Sequence, residues 1–201
     1  CPYAVLPRSR AEFLAGRSKN YRKKIGEYER RCRRKYAARF RRSTTREEVT
    51  RDLATLRTLH MARWGTSSLA FRTATYVDFH ERFAQLMLQK GHLRLYSMES
   101  ATDGRALAMS YCLNYAGRYY YYQGGRDPST ELDRTGLVLM HQVIQEAITD
   151  GASVFDFLRG QERYKYRWAT GDFGSDRVTH WKSSWTCAAA IGQRAVGALR
   201  S

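Results

Sequence analysis

The sequence has no long apolar run, and its 201 residues include only three prolines. No stretch approaches the ~20 apolar residues that a membrane-spanning helix needs. The first ten residues hold two of the prolines and lack the apolar core of a signal peptide. Apolar residues still make up 43% of the chain, which is enough for a buried core. The composition therefore predicts a globular, cytoplasmic protein without a membrane span.

Cysteines are also few, and no two of them form the C-x-x-C pair that is typical of metal and redox sites. The four are Cys1, Cys32, Cys112 and Cys187. Such wide spacing favours unrelated thiols in a reducing compartment over disulfides or a metal cluster. We therefore predict no metal cofactor. The chain begins at Cys1 rather than at a Met, which indicates a fragment of a longer protein.

Acidic residues are scarce in one segment, residues 17–42. It contains 13 Lys and Arg against two Glu, and so carries +11 of the total net charge of +16. Ser18 is a plausible start for a helix with Tyr21, Ile25 and Cys32 on one face. The cationic faces are either solvated or form a groove for an anionic ligand, such as nucleic acid. We predict a linker and basic helical arm over residues 1–43, and one domain over residues 44–201.

The apolar periodicity changes from helical to strand-like near residue 92. A capping box at Thr44 or Thr45 opens one helix, and a second, near residues 75–91, is expected to turn Phe79, Phe83 and Leu86 inward. Three strands follow up to residue 125, then a helix over 135–150, a short buried strand, a later strand over 176–187 and a helix over 188–201. This order predicts a mixed α/β fold, with an antiparallel meander and a crossover helix.

The stretch "RTGLVL" opens the helix predicted over residues 135–150. Unpaired N–H groups at a helix N-terminus carry about half a positive charge, which suits a phosphate group. Gly136 would let the backbone approach such a ligand closely, and Arg134 would add a counter-charge. The predicted binding residues here are Arg134, Thr135, Gly136 and Leu137. The alternative is an ordinary helix start with Thr135 as N-cap.

Two glycines end the tyrosine-rich strand in "RYYYYQGGRDP". Glycines at a strand end favour a bulge or a splay beside a ligand, and a strand edge freed in this way can pair with an extended, amide-containing ligand. Gln123 and Gly124 are therefore predicted binding residues. Tyr121 in the same strand is a candidate general base. A simple hairpin exit remains the alternative.

The stretch "FDFLRGQERYKYRW" places a carboxylate in an apolar strand. Alternation puts Asp156 on the face opposite Phe155 and Phe157, and an ionised Asp in a core is costly unless it is paired. Arg159 and Lys165 are the nearest candidate partners. The arrangement is either a structural ion pair or part of a reaction site. In a reaction site, Asp156 would act as base and Lys165 would stabilise a tetrahedral oxyanion.

Together these stretches resemble the GNAT acyltransferase fold, a central mixed twisted sheet flanked by helices. More narrowly, residues 74–185 are similar to the acetyltransferase group related to the cellulose-biosynthesis CelD and Fem-type proteins. The pattern G…D-F-x-x-G-x-x-x-Y-K-x-x-[FW] of that group is matched by Gly151, Asp156, Phe157, Gly160, Tyr164, Lys165 and Trp168. "RTGLVL" departs from the usual GNAT signature Q/R-x-x-G-x-G/A.

The resemblance implies an acyl-thioester donor, usually acetyl-CoA, with its pyrophosphate at the start of the 135–150 helix. It also implies a second GNAT-like half upstream in the full-length chain, and it maps the aromatic-Lys pair near the transferred group onto Tyr164 and Lys165. We predict that Arg159, Tyr164 and Trp168 bind substrate.

Three functions remain open on this basis. The first is N-acyl transfer from acetyl-CoA or another acyl-CoA to an amine of a sugar, a peptide or a cell-envelope precursor. The second takes the acyl group from aminoacyl-tRNA, as Fem-type proteins do, with the tRNA bound by residues 17–42. The third is a catalytically inactive GNAT-like module that binds a partner or nucleic acid.

Overall fold

A computed structural model describes residues 1–65 and 70–174, which form a seven-stranded sheet with helices on both faces. The strands are β1 (Pro2–Val5), β2 (Arg39–Arg42), β3 (Leu93–Glu99), β4 (Ala106–Tyr115), β5 (Arg118–Arg126), β6 (Val154–Asp156) and β7 (Gly171–Asp172). The helices are α1 (Arg10–Ala15), α2 (Lys19–Tyr36), α3 (Arg46–Trp64), α4 (Ala74–Gln89) and α5 (Thr135–Thr149). The strand and the helix predicted over 176–187 and 188–201 lie outside the described residues.

The strand order in the sheet is β2-β3-β4-β5-β6-β1-β7. Strands β2 to β5 form an antiparallel meander. Helix α5 then leads to β6, which pairs with β5 in parallel. Strands β1 and β7 continue the sheet in antiparallel fashion beyond β6. The predicted mixed α/β fold, with its meander and crossover helix, is confirmed.

Two apolar cores hold the layers together. One joins α1, α2 and α5 to the sheet around Tyr119 and Phe155. The other joins α3 and α4 to the sheet around Leu95 and Tyr111. Each fully buried large side chain contributes roughly 1.5–3 kcal/mol, so the two layers fix the central strands, and with them the edge on which the site is built.

Residues 1–43 belong to the same sheet and core. Pro2–Val5, predicted to be a linker, instead form a strand, because β6 and β7 offer it partners on both sides. The predicted apolar stripe of α2 does face inward, since Ile25 and Cys32 are buried. A division into an arm of residues 1–43 and a domain of residues 44–201 stays a prediction.

Helix α4 turns a different face to the core than the sequence indicates. Phe79 and Leu86 are 56% and 45% exposed, whereas His80 and Ala84 are buried. Apolar residues occur all round this helix, so its periodicity could not select the buried face. At α3, by contrast, Thr45 and Glu48 form one of the two predicted capping boxes.

Candidate active site

The edge of β5 opens halfway along the strand. Strand β6 pairs with β5 only at Arg118, Tyr119 and Tyr120, whereas β4 pairs with β5 as far as Arg126. Among the described residues, the remaining part of β5 therefore has a strand neighbour on one side only. A cavity of about 200 Å³ lies at this splay, between β5, the start of α5 and the segment around Trp168.

The start of α5 forms one wall of the cavity and has no side-chain cap. Arg134 is its N-cap, in the left-handed region with φ 59°. Thr135, expected as the alternative N-cap, is instead fully buried, and its hydroxyl lies 2.6 Å from that of Thr130. A Cβ on Gly136 would lie 3.4 Å from Arg126 Cδ. The first turn thus presents a positive helix end, free of any capping side chain, to the cavity.

Two glycines keep the β5 edge close to its surroundings. A Cβ on Gly124 would lie 2.0 Å from the Tyr121 hydroxyl, and one on Gly125 would lie 2.8 Å from Leu59 Cβ. The Gly124 N–H donates to its neighbour Gln123 at Oε1 (3.2 Å), and His60 Nδ1 lies 3.2 Å from the Gly124 carbonyl oxygen. Side chains from Gln123 and His60 thus occupy backbone groups that an extended ligand would use.

Two tyrosines contribute hydroxyl groups to the cavity. Burial and the neighbouring Tyr164 raise the pKa of Tyr121 well above its ordinary value. Burial likewise raises the pKa of Tyr164 to about 12. Both hydroxyls are therefore protonated at neutral pH and act as hydrogen-bond donors. A catalytic role for Tyr121, which the sequence indicates as a general base, stays a prediction.

Asp156 lies beside a cation that the sequence did not single out. Its Oδ2 is 3.6 Å from a guanidinium nitrogen of Arg118, and its Oδ1 accepts a hydrogen bond from the Leu158 N–H at 2.8 Å. The expectation that Arg159 or Lys165 pairs with Asp156 is therefore wrong. Arg118 is 38 residues away in sequence, but it lies on the adjacent strand, two residues from the position paired with Asp156.

Lys165 is buried, and its ammonium group serves the loop that precedes it. It donates to the carbonyl oxygens of Arg159 (2.7 Å) and Gly160 (3.4 Å) and lies 2.8 Å from Glu162 Oε2. These acceptors fill the donor capacity of an ammonium group. The observed contacts of Lys165 thus stabilise residues 159–162.

The cavity brings together eight of the twelve predicted site residues: Tyr121, Gly124, Arg134, Thr135, Gly136, Leu137, Tyr164 and Trp168. The remaining four are not among its lining residues: Gln123, Asp156, Arg159 and Lys165. Lining residues that sequence reasoning missed include Arg63, Met109, Ser110, Arg126 and Arg167. The basic run around Arg167 was a usable signal, whereas Arg63 sits at the end of a distant helix and gave none.

The cavity is electropositive. Arg63, Arg126, Arg134 and Arg167 line it, and the one carboxylate in its lining, Glu131, is 3.0 Å from Arg126. Together with the start of α5, this surplus of cations suits an anionic ligand.

Within the described ranges, no group of three or more His, Cys, Asp or Glu side chains is arranged to hold a metal ion. Over the same part of the chain, no helix combines the length and apolar character needed to cross a bilayer.

Comparison with solved structures finds similar folds. FemX superposes with a TM-score of 0.59 at 13% identity, over 92% of this chain and 56% of FemX. A predicted acetyltransferase with acetyl-CoA, from Clostridium acetobutylicum, gives 0.53 at 11% identity, over 72% and 96% of the two chains. A GCN5-related N-acetyltransferase from Ralstonia eutropha JMP134 gives 0.51 at 15%, over 73% and 99%.

The chain thus spans little more than half the length of FemX. No curated protein matches the sequence. The model of the Acetyltransferase (GNAT) domain family matches residues 19–166, which is most of the chain and includes the lining of the cavity except Arg167 and Trp168. The chain therefore belongs to the GNAT acetyltransferase domain family.

Proposed function

We propose that this protein is an acyltransferase that takes acetyl-CoA or another acyl-CoA as co-substrate and transfers the acyl group to an amine of a sugar, a peptide or a cell-envelope precursor. The observation that carries the proposal is the meeting, in one cationic cavity, of the open β5 edge and the uncapped start of α5. An extended, amide-containing arm suits this strand edge, where it would replace the Gln123 and His60 side chains on the Gly124 backbone. A pyrophosphate suits a helix N-terminus.

The residues present fit such a donor even though "RTGLVL" departs from the usual GNAT signature. Gly136 keeps the first turn of α5 free of a side chain, and Arg134 and Arg126 flank it. Arg134 holds the left-handed conformation that glycine adopts most easily, and it adds a positive charge at the start of α5.

Two hydroxyls would supply the proton that the leaving group needs. When bound, acyl-CoA supplies a thioester, whose C–S bond breaks as the amine nitrogen forms the new C–N bond. Tyr121 and Tyr164 hold their protons at neutral pH, so one of them would protonate the departing sulfur. Removal of the amine proton by Asp156, and oxyanion stabilisation by Lys165, stay predictions.

Calorimetric titration with acetyl-CoA tests the proposal. We expect measurable heat and a rise in melting temperature at millimolar ligand, and the absence of both would overturn the acyl-CoA assignment. Arg134→Gly keeps the left-handed backbone accessible but removes the cation, and should weaken binding about tenfold. Arg57→Gln, on the exposed face of α3, removes an equal charge away from the cavity and should leave the affinity unchanged.

Aminoacyl-tRNA is the second candidate donor. Its support is the +11 charge of residues 17–42 and the exposure of most of these cations on α2 and β2. Phosphate contacts dominate nucleic-acid affinity, so binding of tRNA should weaken steeply as salt rises. Absent or salt-independent binding would rule this donor out.

The remaining alternatives concern the whole protein. A catalytically inactive binding module is a third candidate, and it would bind a ligand or partner without turnover of any amine tested. Membership of the CelD-like and Fem-type group, an upstream GNAT-like half and a cytoplasmic location are further proposals. The natural full-length sequence and its location in the cell would test them.

A further inference from the structure

A second cavity, of about 600 Å³, adjoins the first. It lies between the α1–α2 turn, α2 and the start of α5. Arg134, Leu137 and Arg167 line both cavities, so the two lie side by side around the start of α5. We call this second cavity the α2 groove; the other residues that line it include Arg17, Tyr21, Lys24, Ile25 and Tyr28.

Four cations line the α2 groove, and no carboxylate does. Lys24, Arg134 and Arg167 have no acidic partner within residues 1–65 and 70–174. A surface cation beside a carboxylate is at least partly neutralised by it. The groove has no such carboxylate, so its positive charge is available to a ligand that enters it.

Arg17 is the most constrained of these cations. Its guanidinium carbon lies 4.6 Å from the Phe13 ring centre and 5.9 Å from that of Trp168. Burial lowers the pKa of Arg17, yet the one hydrogen bond of its guanidinium in the described chain goes to the Arg167 carbonyl oxygen, at 3.5 Å. The aromatic rings thus hold a positive charge in a fixed position without neutralising it.

The order of the β5 edge, the start of α5 and the α2 groove indicates which part of a ligand the groove would bind. A ligand extended along the open β5 edge reaches the start of α5, and the start of α5 is shared with the groove. The end of a long anionic donor beyond its pyrophosphate would therefore enter the groove. A terminal phosphate monoester carries close to two negative charges at pH 7, which matches a site with several unneutralised cations.

We infer that the α2 groove binds the terminal phosphate monoester at the nucleotide end of the donor, and so selects donors that carry this phosphate. The inference rests on the proposed acyl-CoA function and extends it. Lys24 and Arg167 supply exposed charges, and Arg17 supplies a planar one, held by aromatic rings, that suits the oxygens of a phosphate. The basic helix thereby becomes part of donor selection.

Calorimetry with two donors tests the inference: acetyl-CoA, and 3′-dephospho-acetyl-CoA, which lacks only the terminal phosphate. We expect the wild-type protein to bind acetyl-CoA at least about tenfold more tightly. Lys24→Gln should reduce that preference several-fold and leave the affinity for the dephospho donor unchanged. Lys23→Gln is the matched control, because Lys23 is an exposed neighbour on α2 outside the groove.

The outcomes separate the two proposals. Binding of neither donor defeats the acyl-CoA function itself. Equal wild-type affinity for both donors overturns the groove assignment but leaves the acyl-CoA function standing. Equal losses in Lys24→Gln and Lys23→Gln would also overturn it, because net charge alone would then explain the preference. Melting temperatures of both variants establish that each is folded.

Discussion

The start of α5 and the loop that follows β6 both lie near the end of β5, but their cations have different surroundings. Arg134 faces the cavity with no acidic partner among the described residues. Lys165 is surrounded by Glu162 and two carbonyl oxygens of its own loop. A cation with filled hydrogen bonds holds structure, whereas one facing open space is available to a ligand. The first region is thus suited to binding, and the second to supporting it.

The largest expected effect is on stability, from Lys165→Met. The change leaves the carbonyl oxygens of Arg159 and Gly160 without their donor inside the protein. We expect the free energy of unfolding to fall by about 3 kcal/mol, measured by urea denaturation. Arg163→Gln, an exposed change in the same loop, should have little effect. Full stability combined with lost turnover would reverse the comparison and make Lys165 catalytic.

Tyr121→Phe tests the cavity beside the start of α5 by its effect on the reaction rate instead of on stability. It removes a protonated hydroxyl from the cavity, so we expect kcat to fall about 100-fold with little change in KM for the donor. Tyr120→Phe is the matched control, because the adjacent residue does not line this cavity. An unchanged kcat in Tyr121→Phe would assign the proton to Tyr164 or to water.

Gly124→Ala tests how closely the strand edge approaches its neighbours. Its new Cβ would lie 2.0 Å from the Tyr121 hydroxyl oxygen, so we expect a loss of about 2–3 kcal/mol in the free energy of unfolding. Tyr121→Phe in the same chain removes the clashing oxygen and should restore part of that loss. Additive effects in this double-mutant cycle would show that the two residues do not interact.

Features that depend on neighbouring residues were predictable from the sequence. The start of α5, the glycines at the end of β5 and the capping box at Thr45 are each encoded within a few residues. Their chemistry belongs to the backbone, so knowing the element is enough to know what it presents. This is why most of the predicted residues around Arg134 and Gly124 line the cavity.

Features that depend on residues distant in the chain were not predictable from the sequence. Arg118, the partner of Asp156, comes from the adjacent strand, and Arg63 reaches the cavity from the end of α3. The exposure of Phe79 on α4 depends on which face of the helix packs against the rest of the protein, and no local sequence pattern gives that face. In each case strand register or helix packing determines which residues meet, and the local sequence does not encode it.

The middle of α5 extends the comparison, because it is as closed as the start of the helix is open. His141 is buried there, with its Nδ1 2.9 Å from the Tyr21 hydroxyl and its Nε2 accepting from the Gln145 amide. Burial, with Arg17 nearby, lowers the pKa of His141 to about 4. Glu29, 4.0 Å from Nε2, does not offset this.

The depressed pKa makes stability depend on pH with a definite sign. The unfolded chain takes up a proton on His141 near pH 6.5, whereas the folded chain resists it until about pH 4. The contribution of neutral His141 to the unfolding free energy should therefore be fully present above pH 6.5. It should decline as the pH falls towards 4, by about 2 kcal/mol between pH 7 and 5. Urea denaturation at both pH values measures the decline. His141→Gln should remove the part of the decline that His141 causes, although the buried His60 and His80 remain. An identical decline in the variant would mean that His141 is protonated as easily in the folded chain as in the unfolded one.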